Sequence, residues 1–158
     1  MIDETTTSEA NACLQPATAI PPPAFTSADA VAPSENQPVS IAGLRVLVAE
    51  DEPLIAMVLE DILEDLQCIV VGPHASLAAT LAAVDEEAFD LALLDVNIRG
   101  GESYPAAEAL DRHAIPFAFM TGQDTSSLPE AFRARPNLSK PYAAEDVDQV
   151  IRSLAGNR

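Results

Sequence analysis

Four short stretches carry residues able to do chemistry, and each sits where an apolar run ends. "RVLVAEDE" closes on Glu50, Asp51 and Glu52; "LALLD" closes on Asp95; "FAFMT" closes on Thr121; "NLSKP" closes on Lys140 and Pro141. Grouped carboxylates repel one another, and burying them is costly unless a counter-charge is present. Oxygen-only donors of this kind suit a hard divalent cation, and Mg2+ is the expected occupant. A carboxylate held beside such a cation is a nucleophile toward phosphorus, forming an aspartyl phosphate. Phosphoryl transfer needs chiefly in-line positioning and compensation of oxygen charge. Asp95 is the best-placed nucleophile. Asp51 and Asp95, with Glu50 nearby, hold the metal. Lys140 supplies a point positive charge, and the Thr121 hydroxyl hydrogen-bonds the new phosphoryl group. Each residue alone has a plainer reading, as a helix cap, a turn residue or a solvated charge. Their joint placement at successive strand ends favours the functional one. Glu52 reads as a surface acid.

The elements around them predict how they meet. "LRVLVA" reads as a strand, and Pro53 suits the first turn of a helix. Leu54, Ile55, Val58, Leu59, Ile62 and Leu66 share one helical face, with Glu60, Asp61, Glu64 and Asp65 largely opposite. "CIVVG" (68–72) reads as a short buried strand, and "SLAATLAAVDEE" (76–87) as a helix with Ser76 at its N-cap. A strand over 89–95, a helix over 103–113, a strand over 115–121, a short helix over 127–134, a brief strand over 137–141 and a last helix stopping near Gly156 complete the pattern. Strand and helix alternate five times, and the strands are continuously apolar. That predicts an α/β fold, a doubly wound five-stranded parallel sheet with helices on both faces. Its ligand site lies at the carboxyl ends of the strands, where the strand order reverses.

The chain has 158 residues, a net charge of -17 and 48% hydrophobic residues. All eight Lys and Arg lie at or after Arg45, which argues against direct DNA binding through phosphates. Cys13 and Cys68 form no disulfide framework, and no apolar stretch or leader suits a membrane or export, so a cytoplasmic protein is expected. Residues 1–42 hold six of the 13 prolines and no Lys or Arg, and are expected to be a disordered tail before a folded domain over 43–156. His74 and His113 sit near element boundaries, where surface or capping roles are expected. The three methionines read as packing.

The motifs "VLVAEDEPLI", "LALLDVNI", "FAFMTG" and "LSKPY" strongly resemble the receiver domain of two-component response regulators, over about residues 44–155. The resemblance implies a flavodoxin-like sheet of order 2-1-3-4-5 and phosphotransfer onto Asp95 from a sensor histidine kinase or a histidine phosphotransferase. It implies that the backbone carbonyl of Asn97 completes the metal site, and that the Lys140–Pro141 bond is cis. Departures are Arg99 where many receivers have proline, Gly122 after the switch hydroxyl, and Asn137 where most have an aromatic switch residue. "PFAFMTGQD" and "NIRGGESYPAAEAL" are similar to an atypical, often stand-alone subgroup with a Phe-Ala-Thr-Gly-Tyr segment. Gly122 loosens the backbone beside the switch hydroxyl, and the output is expected to be a rearrangement of loop 121–130 and its short helix. The chain stops at Arg158 with no DNA-binding module, so a single-domain regulator is expected, signalling to an unidentified downstream protein or acting as a phosphate sink. It is not expected to be an enzyme beyond slow self-dephosphorylation. The alternatives are a receiver-fold adaptor that works without phosphorylation and, less favoured, an aspartyl-phosphate phosphohydrolase.

Overall fold

The computed structural model describes residues 39–122 and 125–158. Residues 1–38, including "AIPPPAF" and Cys13, lie outside the described residues, as do Gln123 and Asp124 of the expected output loop. The elements in chain order are β1 (Arg45–Ala49), α1 (Pro53–Asp65), β2 (Ile69–His74), α2 (Leu77–Glu86), β3 (Leu91–Asp95), β4 (Asn97–Ile98), β5 (Gly101–Glu102), α3 (Tyr104–Arg112), β6 (Phe117–Thr121), β7 (Asn137–Ser139) and α4 (Ala144–Ala155). Five strands form one parallel sheet in the order β2-β1-β3-β6-β7. Counted within that sheet this is the expected 2-1-3-4-5, the flavodoxin-like arrangement. The short β4 and β5 pair separately as an antiparallel ribbon directly after Asp95.

Successive strand residues point to opposite faces, so a continuously apolar strand serves two cores at once. Leu47, Ala49, Ala92, Leu94, Phe117 and Phe119 face a core completed by α2 and α3. Val46, Val48, Leu91, Leu93, Ala118 and Met120 face a second core completed by Leu59, Leu63, Val147, Ile151 and Leu154. Ser76 caps α2 as expected, its hydroxyl accepting from the Ala79 amide at 3.2 Å.

The structure departs from the sequence reading in four places. The second strand is an edge strand, with only Val71 fully buried. Gly72 there has φ +115°, and a Cβ on it would stand 2.8 Å from the Val48 carbonyl oxygen, so that bend requires glycine. On α1 the sheet takes Ala56, Leu59 and Leu63, leaving Leu54 68% and Val58 49% exposed. The helix is apolar around more than half its circumference, and only part of that arc faces the sheet. The expected helix over 127–134 is two 3-10 turns, Thr125–Ser127 and Glu130–Phe132. Pro129 supplies no amide, and the Arg133 guanidinium instead donates to the carbonyls of Leu128 and Ser126. Finally, the core reaches back past residue 43: Ile41 is 4% exposed and its carbonyl accepts from the Cys68 thiol.

Candidate functional site

The parallel register fixes what meets at the carboxyl edge of the sheet. Ala49 pairs with Leu94 and Asp95 with Met120, so Glu50 and Asp51 leave β1 beside Asp95 at the end of β3. Thr121 ends β6 opposite Ser139, and its carbonyl accepts the Lys140 amide at 2.7 Å, which brings Lys140 over the same edge. The Lys140–Pro141 bond is cis, as the resemblance implied. A second cis bond, Gly72–Pro73, was not anticipated.

Carboxylate oxygens of Glu50, Asp51 and Asp95 lie within 4.8 Å of one another. The Lys140 ammonium donates to Glu50 Oε2 and to Asp95 Oδ2, both at 2.7 Å. The remaining oxygens of those two acids are held by backbone amides, Glu52 to Glu50 Oε1 at 3.0 Å and Asn97 to Asp95 Oδ1 at 3.3 Å. Glu50 is only 2% exposed. Burial pushes its carboxyl above the ordinary range; the hydrogen bonds from Lys140 and the Glu52 amide oppose this, and the charge of Asp95 adds to it. Burial alone would depress the Lys140 ammonium, but its hydrogen bonds to Asp95 and Glu50 and their charges carry it above its usual value. The Thr121 hydroxyl oxygen is buried with no hydrogen-bond partner among the described residues. Asn97 opens β4, with an exposed side chain.

Three carboxylates against one ammonium leave a formal surplus of two negative charges, the charge of one divalent cation. Around magnesium, with bonds near 2.1 Å, cis ligands stand roughly 3 Å apart and trans ligands roughly 4.2 Å, so these donors need to close by at most about 2 Å. An all-oxygen set at that spacing fits Mg2+.

The expected residues Glu50, Asp51, Asp95 and Lys140 are thus brought together, with Thr121 and Asn97 on adjoining strand ends. Asn137 is exposed at the start of β7, and the aromatic cluster forms elsewhere, from Tyr104, Phe117, Phe119 and Phe132. His113 caps the C-terminus of α3, and His74 lies 3.7 Å from Glu87. Two features were missed: Tyr142 has a buried hydroxyl without a partner among the described residues, and Leu54 and Val58 line an apolar cavity beside Lys140. Among the described residues no helix is long and apolar enough to cross a membrane.

Comparison with known proteins agrees with this geometry. The response regulator receiver domain model matches residues 46–152. The sensor protein GacS of Pseudomonas syringae pv. syringae is 35% identical over 129 residues, covering 75% of this chain but only 14% of that protein's length. The BeF3-activated conformation of SdrG from Pseudomonas melonis Fr1 superposes with a TM-score of 0.64 at 46% identity, over 72% of this chain and 98% of that one. The response regulator PhyR from Brucella abortus gives 0.61 at 28% identity, over 73% of this chain and 49% of that one. With sheet order, acidic cluster and family match in agreement, the chain belongs to the response regulator receiver family of two-component systems.

Proposed function

We propose that the chain accepts a phosphoryl group on Asp95 in a Mg2+-dependent reaction and signals through protein contact. The observation carrying this is the shared Lys140 ammonium, bonded at 2.7 Å to both Glu50 and Asp95 while Asp51 stands within the same cluster. Mg2+, when bound by Asp51, Asp95 and the Asn97 carbonyl with Glu50 nearby, offsets the charge of the transferring oxygens. An Asp95 carboxylate oxygen attacks phosphorus; the phosphorus–nitrogen bond of a phosphohistidine breaks, and the imidazole departs with the electron pair and takes up a proton. Lys140 moves its hydrogen bond onto a phosphoryl oxygen, and the Thr121 hydroxyl, without a partner among the described residues, gains an acceptor. That SdrG has a BeF3-activated conformation supports the same chemistry here.

The donor is a sensor histidine kinase or a histidine phosphotransferase. Leu54, Met57 and Val58 expose an apolar stripe on α1 next to Lys140, and Glu60, Asp61, Glu64 and Asp65 follow it along the helix. A partner helix with apolar anchors and a basic rim fits that surface. Such a protein works in the cytoplasm, binds no DNA directly and is no enzyme beyond slow loss of its own phosphoryl group. The test is transfer from a labelled phosphohistidine protein. Label should leave the donor and appear on this chain, and Asp95→Asn should prevent it. Binding of the donor without transfer would instead favour an adaptor that works without phosphorylation.

A further inference from the structure

Tyr142 follows the cis Lys140–Pro141 bond, and its ring forms one wall of a cavity of about 410 Å3 with Leu54, Ile55, Val58, Lys140 and Pro141. That wall needs only a ring, and phenylalanine would supply it. The hydroxyl is different: its oxygen is buried and has no hydrogen-bond partner among the described residues. A buried hydroxyl without a partner destabilises the state that leaves it so. Burial, then the negative charges of Glu50 and Asp95, push its ionisation well above the usual tyrosine range. It therefore remains a neutral O–H donor, and Lys140, which lines the same cavity, stands 2.7 Å from Glu50 Oε2.

Glu50 is the group that needs such a donor. It is 2% exposed, so bulk water does not reach it. Its two oxygens depend on the Glu52 amide and on Lys140, and Lys140 is shared with Asp95. A divalent cation entering the pocket repels the ammonium, which loosens the Lys140 bond to Glu50 and leaves a buried oxygen short of a donor. Resting on the acidic-pocket reading above, we propose that Tyr142 is a positioning residue: its hydroxyl turns to the Glu50 carboxylate when a cation drives Lys140 away, and so holds Glu50 in place beside the metal.

Tyr142→Phe keeps the ring and removes the donor. The full chain, free of metal, should be at least as resistant to thermal unfolding as the wild type. Its dissociation constant for Mg2+ alone, by calorimetry, should rise by about tenfold or more, the range of one hydrogen bond to a charged acceptor. In a Glu50→Gln background the same substitution should have no further effect on Mg2+ binding. A smaller rise, an equal rise in the Glu50→Gln background, or a lowered metal-free melting temperature would overturn the role given to Tyr142. Absence of Mg2+ uptake by the wild type would overturn the acidic-pocket reading, and this inference with it.

Discussion

Lys140 Nζ lies 2.7 Å from Asp95 Oδ2, although 45 residues separate the two in the chain. The parallel sheet produces this contact, because both residues leave strands at the same edge. The Asp95 carboxylate is therefore held by an ammonium on one oxygen and by the Asn97 amide on the other.

The surplus of negative charge is itself destabilising. Asp51→Asn should raise the stability of the metal-free protein by about 1–2 kcal/mol at low salt, since it removes like-charge repulsion. The same substitution should weaken Mg2+ binding. Urea unfolding with and without Mg2+ checks both; a variant less stable than wild type in metal-free buffer would contradict the electrostatic account.

Glu50 gives the pH dependence its sign. Its carboxyl is raised above 4.5 in the folded protein, so the native state binds this proton more readily than the unfolded chain. Its contribution is fully present below pH 4.5 and is lost as pH rises through the folded value. Glu50→Gln should remove that declining component from the metal-free stability profile, as read by chemical denaturation across pH. An unchanged profile would place the titration elsewhere.

The apolar stripe on α1 predicts a separation between donors. Val58 is 49% exposed, so Val58→Glu should change stability by less than about 0.5 kcal/mol. It should slow transfer from a phosphohistidine protein by roughly tenfold or more, as expected for a buried interface anchor, and leave phosphorylation by a small phosphodonor intact. Equal slowing with both donors would place the effect in the acidic pocket instead.

The aromatic cluster makes a structural prediction. Phe132 is 5% exposed and meets the rings of Tyr104, Phe117 and Phe119 at 5.4–6.3 Å between centroids. Phe132→Ala should cost about 3–5 kcal/mol. Asn137→Ala, on an exposed side chain, should fall within about 0.5 kcal/mol of wild type. Thermal and urea unfolding of the pair measure the contrast.

The sheet and the acidic site were legible because each depends on a local signal. Apolar runs such as "LALLD" mark strands covered on both faces, and the residue ending each run is the one delivered to the ligand edge. What was not legible depends on tertiary competition. The periodicity of α1 placed Leu54 and Val58 with the core, but the sheet has room for one stripe only, and Ala56, Leu59 and Leu63 fill it. The segment containing Pro129 read as a short helix, whereas burial of Leu128 and Phe132 and the Arg133 hydrogen bonds hold it as two 3-10 turns. The Tyr142 hydroxyl, without a partner among the described residues, has no sequence signature, since a tyrosine after Lys-Pro looks the same whether or not its oxygen finds one.

The most direct measurement is intact-mass spectrometry of the protein incubated with a small-molecule phosphodonor. With Mg2+ present, the mass should rise by one phosphoryl group; with the metal chelated, or in Asp95→Asn, it should not rise. Labelling of Asp95→Asn to the wild-type extent, or no labelling of the wild type with Mg2+ present, would contradict the assignment of Asp95 as the phosphoryl acceptor.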